Sequence, residues 1–194
     1  MFKKLLVTTI ALLLSGCAGM MEYEKRSEGL SAYPTVQYEQ FMGNEIVKSY
    51  ETSRVTKPYD KLKMKACLYE VVKNDVMLDY EYGRYNQKRA TGVSGGGRII
   101  DKVKSDSAFF QGNFEQLVYI ETPLGSSNDN RHVLYNGLMF KDGENKTTFI
   151  FSGLRLHSGL SEHPLWSRKM NVPEKAIEGL NGLADDIADC LNDK

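Results

Sequence analysis

Three groups of side chains in this 194-residue chain have the types and spacing that chemistry uses. Gly92-Val93-Ser94-Gly95-Gly96 matches G-x-S-x-G, the elbow that presents a serine nucleophile, with His132, His157 and His163 downstream as candidate bases. That mechanism needs a strand before the serine and a helix after it. Here Arg89-Ala90 precedes and a third glycine, Gly97, follows, so a flexible glycine loop is the better reading. A hydrolase using Ser94 is the lesser alternative. The same glycines could turn backbone N–H groups toward an anion, but the phosphate-loop pattern G-x-x-x-x-G-K-[ST] is absent. His157 and His163 lie six apart with Glu162 as their neighbouring carboxylate, short of the ligand number zinc takes. Glu178, Asp185, Asp186 and Asp189 fall on the polar side of a helical pattern and not in an acid–base pair. No catalytic residue, metal site or cofactor is expected.

Cys17 differs, because its surroundings specify a chemistry. Lys3 and Lys4 precede an apolar run from Leu5 to Leu14, and Leu14-Ser15-Gly16-Cys17 closes it. Basic end, apolar centre and small-residue cleavage site are the layout of a secretory signal peptide, too short to span a bilayer as a helix. The closing four residues resemble the lipobox of bacterial lipoproteins. That resemblance implies diacylation of the Cys17 thiol, cleavage before it, acylation of the new amine in many cases, and a mature chain of residues 17–194. Each buried methylene contributes about 0.8 kcal/mol, so several acyl chains anchor stably. In the lipoproteins this stretch resembles, an Asp after the cysteine favours the inner membrane. Ala18 stands there, which in a Gram-negative host implies outer-membrane anchoring with the body facing the periplasm.

The chain has 25 basic and 25 acidic residues, and removal of the leader takes Lys3 and Lys4 with it. A near-neutral body has no electrostatic reason to bind nucleic acid, and no basic cluster stands out for anionic head groups. Cys67 and Cys190 remain. The oxidising compartment that the resemblance implies favours a disulfide between them. Cys190, in the series Leu180, Leu183, Ile187, Cys190, suits a small buried hydrophobe equally well. A redox or metal role lacks a Cys-x-x-Cys.

The elements that must position these groups follow from periodicity. Residues 18–44 are polar without a sustained period and read as a tether, its Tyr33, Tyr38 and Phe41 unattached. The chain thus divides into a leader, 1–16, a lipidated start and tether, 17–44, and one domain, 45–194. Residues 46–55 alternate as a strand with Ile46, Tyr50 and Thr52 on one face. Thr56 and Pro58 open a helix predicted over 58–74, with Leu62, Ala66, Tyr69 and Val72 in one apolar row and Met64, Cys67, Leu68 and Val71 beside it. Residues 76–85 read as a strand, 86–97 as a loop, and 98–104 as either a strand or a helical turn. Three β-rich runs follow, 109–122, 131–141 and 146–157, joined by a long turn at 123–130 and a tight one at Asp142-Gly143. In the last run Ile150, Leu154 and Leu156 alternate with Phe149, Phe151 and His157, so both faces look apolar and the second needs a cover. After an irregular stretch, 158–172, Pro173 opens a long amphipathic helix. The sum is an α+β fold: an antiparallel sheet packed against a helix of the N-terminal half and a C-terminal helix, an order similar to helix-grip folds. The expected function is non-catalytic: an accessory or scaffold module for an envelope protein. The alternative is a carrier of an apolar ligand or lipid between the sheet and the closing helix.

Overall fold

The computed structural model describes residues 26–73, 77–79, 91–93, 100–122, 125–158, 161–168 and 173–193. The β-rich centre forms an antiparallel meander of β6 (Ser107–Thr122), β7 (Gly125–Lys141) and β8 (Lys146–Ser158). β5 (Ile100–Val103) lines the outer edge of β6, resolving the ambiguous stretch as a strand. On the other side β2 (Asn44–Val55) pairs with β8, and β1 (Gln37–Phe41) pairs with β2, giving the order β1-β2-β8-β7-β6-β5. β9 (Ser161–Pro164) pairs with the far end of β8. β3 (Met77–Asp79) and β4 (Thr91–Val93) form a separate two-stranded sheet, and the rest of the strand predicted over 76–85 lies outside the described residues. Two helices, α1 (Lys61–Val71) and α2 (Pro173–Asn192), pack against each other and against the sheet, so the α+β architecture is as expected. Among the described residues, no helix is long and apolar enough to cross a membrane.

The tight turn at Asp142-Gly143 is present: Gly143 takes φ 88°, and the Asp142 N–H donates to the Lys146 carbonyl at 2.8 Å. The long turn is not. β7 starts at Gly125, directly opposite Thr122, so most of the polar stretch is strand. Serine and asparagine propose a turn on local grounds, but continuous pairing with β6 satisfies their backbone groups and prevails.

The apparent two-faced apolarity of β8 has a different cause from the one expected. Ser152 pairs with Asn136 and Arg155 with Leu134, so Gly153 and Leu154 together stand opposite Tyr135. This bulge, with Gly153 at φ 59°, reverses the alternation halfway along the strand. Phe149 and Phe151 before it, and Leu154 and Leu156 after it, therefore face the same side and are all buried, against Val133, Tyr135 and Met139 of β7. One core face had been spread over two sequence phases.

α1 also departs from its sequence pattern. Asp60 caps it, accepting from the Lys63 N–H at 2.8 Å, while the Thr56 hydroxyl is shared with that of buried Thr147. The core-facing row is Met64, Cys67 and Leu68; Leu62 is 75% and Tyr69 55% exposed. Apolar residues surround this helix, so its own period does not choose a face. The contact with α2 chooses it, and the Cys67–Cys190 disulfide spans that contact (S–S 2.09 Å). α2, with a single clean stripe, buries Ala176, Ile177, Leu180, Ala184 and Ile187 as its pattern requires.

The tether is corrected from residue 26 onward. Arg26 bridges Arg168, the 3-10 turn Glu28–Ala32 buries Leu30, and Val36 is buried before β1 begins. Two isolated apolar residues carry no period, yet Leu30 and Val36 join the main core. The segment after β9 holds this start in place: the Ser27 N–H donates to the Ser167 carbonyl, and the Val47 N–H to the Leu165 carbonyl. Of the stretch expected to be irregular, residues 161–164 are strand β9 and residues 165–168 lie between β2 and the chain's first described residues.

Candidate functional site

Each sheet residue has a cross-strand neighbour on its own face, so the topology lists what the side chains can do together. On the face turned away from the helices one row runs Glu51, Ile150, Leu138, Phe109, Lys102, across five strands. Its centre is apolar and its two ends are charged. Phe109 is 52% exposed, Leu138 and Ile150 are half-buried, and Phe140 and Leu134 flank Leu138 two and four residues along β7. With strands about 4.8 Å apart, the apolar centre of the row is about 10 Å wide.

A second row on the same face runs Glu115, His132, His157, Glu162. The pleat puts the two histidines that lie six apart in sequence on opposite faces: His157 lies opposite Glu162, whereas His163 lies opposite Leu156 on the core side. His163 accepts from the Trp166 indole N–H at 3.2 Å, and Glu162 pairs with Arg155 at 2.5 Å. His132, from another strand, is the residue that meets His157. That pairing depends on register and is invisible in sequence spacing. Among the described residues no three His, Cys, Asp or Glu side chains gather as a cation site.

The space between sheet and helices is occupied. Phe110, Tyr135, Phe149 and Phe151 form a chain of ring contacts with centroids 5.6–6.4 Å apart, in one core with Leu180 and Ile187. A Cβ on Gly137 would stand 2.3 Å from the Phe110 ring, and one on Gly112 2.3 Å from the Tyr135 hydroxyl. Burial pushes the Tyr135 phenol far above its ordinary range, so it stays neutral. At the mouth of this layer, a cleft of about 260 Å³ opens between Val71, Phe114, Tyr135 and Leu183.

A third feature is polar. Arg26, Gln40, Asn44, Glu45, Ser167 and Arg168 line a cleft of about 460 Å³ at the β1–β2 turn. Glu45 accepts from Arg26 at 2.7 and 2.5 Å and from the Ser167 hydroxyl at 2.8 Å. The Arg26 hydrogen bond holds the Glu45 carboxyl below its usual range, and Glu45 in turn raises Arg26. The Arg26 guanidinium lies 3.9 Å over the Tyr38 ring, and that of Arg168 5.0 Å over Trp166. These two arginines, far apart in sequence, form the basic pair that composition did not reveal.

Cys17 and Ser94, with the glycines at 95–97, lie outside the described residues. Cys67 and Cys190 are brought together.

No protein-family model matches the chain, and no curated protein matches it. Among solved structures it is similar to the crystal structure of a DUF4468 family protein from Bacteroides ovatus. That likeness has 8% identity, covers 88% of this chain and 98% of that one, and has a TM-score of 0.46. It adds nothing to the site.

Proposed function

We propose that this protein is a lipid-anchored cell-envelope module that binds a protein partner through the face of its sheet turned away from the two helices and catalyses no reaction. The lipobox resemblance at Cys17 supports the anchor and, with Ala18, the periplasmic side of an outer membrane. The observation that carries the binding role is the Ile150–Leu138–Phe109 row with Phe140 beside it. A half-buried apolar strip with a charged rim, on the sheet face that carries no helix among the described residues, is the composition of a protein contact. The carrier alternative has less support, because aromatic rings fill the space where its ligand would lie.

Two experiments separate the anchor from the binding role. Cys17→Ala should release the protein from the membrane fraction; retention there would refute the anchor. A photo-crosslinking residue at position 109 or 138 should capture one defined protein in the envelope, and one at Leu62 on α1 should not. Equal capture from both faces, or none from the sheet face, would remove the binding role.

A further inference from the structure

We propose that the tip of the β1–β2 hairpin, with Arg26 and Arg168 behind it, is a contact for a phospholipid surface that seats the domain on its own membrane. The proposal rests on the lipid-anchor reading, but one arm of its test, on unlipidated protein, does not depend on that reading.

The tip is Phe41-Met42-Gly43-Asn44, where β1 turns into β2. Phe41 is 40% and Met42 84% exposed. Met42 also takes φ 49°, the left-handed region, the one non-glycine to do so among the described residues. A two-residue hairpin loop requires positive φ at both central positions, and Gly43 at φ 77° is the other, but the loop leaves the Met42 side chain almost wholly in water. Against acyl chains the same arrangement buries two apolar groups.

The chemistry behind the tip fits the layer next to the acyl chains. The Arg26–Arg168 bridge places two guanidinium-bearing residues directly across from each other, with Glu45 as their one carboxylate among the described residues. Glu39, the next carboxylate on β1, alternates to the other side of the strand from Gln40. Arg168 rests on Trp166 without a carboxylate of its own among the described residues, leaving its fork of donors for a phosphate. Tyr38 and Trp166 flank the pair, and these are the ring types that favour the membrane–water boundary.

Chain length gives the location. Cys17 precedes Arg26 by nine residues, a reach of at most about 30 Å when fully extended. Arg26 itself lines the cleft, so an acylated Cys17 tethers this end of the domain to the lipid. The β7–β8 turn at Asp142-Gly143, beside Val55 at the opposite end of β2, points away from it.

Trp166 is the single tryptophan of the chain and so reports on this surface directly. The lipidated protein is reconstituted into phosphatidylethanolamine–phosphatidylglycerol vesicles with brominated acyl chains. Trp166 fluorescence should be quenched, and Phe41→Ser with Met42→Ser should abolish the quenching while leaving the thermal midpoint unchanged. A second arm uses mature-length protein with Cys17→Ser. It should bind phosphatidylglycerol-containing vesicles in a salt-sensitive way, and the tip variant or Arg168→Gln should weaken binding roughly tenfold. Unquenched Trp166 in the lipidated protein would overturn the contact and leave the anchor standing. Quenching or binding untouched by the tip and Arg168→Gln variants would overturn it as well. Failure of Cys17 acylation, with vesicle binding intact, would refute only the anchor.

Discussion

At the scale of single residues, three glycines with different surroundings should respond with different signs. A Cβ on Gly137 meets the ring of fully buried Phe110, which has no free space to retreat into. Gly137→Ala should therefore cost about 1–3 kcal/mol, read as a fall in the thermal midpoint. On α2, Gly179→Ala meets Phe114 at 2.4 Å, but that ring is only half-buried and can shift, so the cost should be smaller. Gly182→Ala meets nothing within 4 Å and should stabilise by about 0.5–1 kcal/mol through helix propensity alone. Glu45 sets a pH dependence. Its carboxyl is held below its ordinary value, chiefly by the Arg26 hydrogen bond, so its contribution is complete above the unfolded carboxylate range. It is lost as pH falls through the lower folded value. The pair is partly solvated, so the effect is at most about 1 kcal/mol. Glu45→Gln should flatten the acid limb of a stability–pH curve and leave the neutral-pH slope unchanged.

Elements are held to one another by a few specific links. Asn181 of α2 accepts from the Tyr50 hydroxyl at 2.8 Å and from Arg54 at 2.7 Å, and Arg54 also pairs with Asp185. Asn181→Ala leaves a largely buried guanidinium and a buried phenol short of a partner, at a cost of about 1–3 kcal/mol by denaturant titration. The disulfide closes a separation of 123 residues between α1 and α2. In the chain-entropy model that is worth about 4–5 kcal/mol, less where the reduced chain retains structure. Replacing Cys67 with Ala and Cys190 with Ser should lower the midpoint and remove the sensitivity of the native protein to reductant. An unchanged midpoint would mean that the packing of Met64 and Leu68 against α2 suffices. α2 was legible in sequence because one stripe repeats through five turns. α1 was legible as a helix, but its buried face was not, because apolar residues circle it and only its neighbours select a face.

For the whole molecule, the two sides of the sheet carry different duties. The helix side is a filled aromatic core, so Phe109→Asp on the other side should leave the midpoint within about 1 kcal/mol of wild type while abolishing partner capture. A loss of stability as large as a core truncation would mean that Phe109 belongs to the fold and not to a contact. Local pattern by itself determined the α+β class, the Asp142-Gly143 turn, the closing helix and the lipobox resemblance at Cys17. Each is written in residues a few positions apart, where period and turn chemistry act. Tertiary structure alone decided the rest. The bulge at Gly153 collapses two apolar phases of β8 onto one face, and pairing with β6 converts a predicted turn into strand. Leu30 and Val36 fold a supposed tether into the core. Arg26 meets Arg168, and His132 meets His157, across the chain. These are contacts between distant segments, and register, not spacing, brings them together.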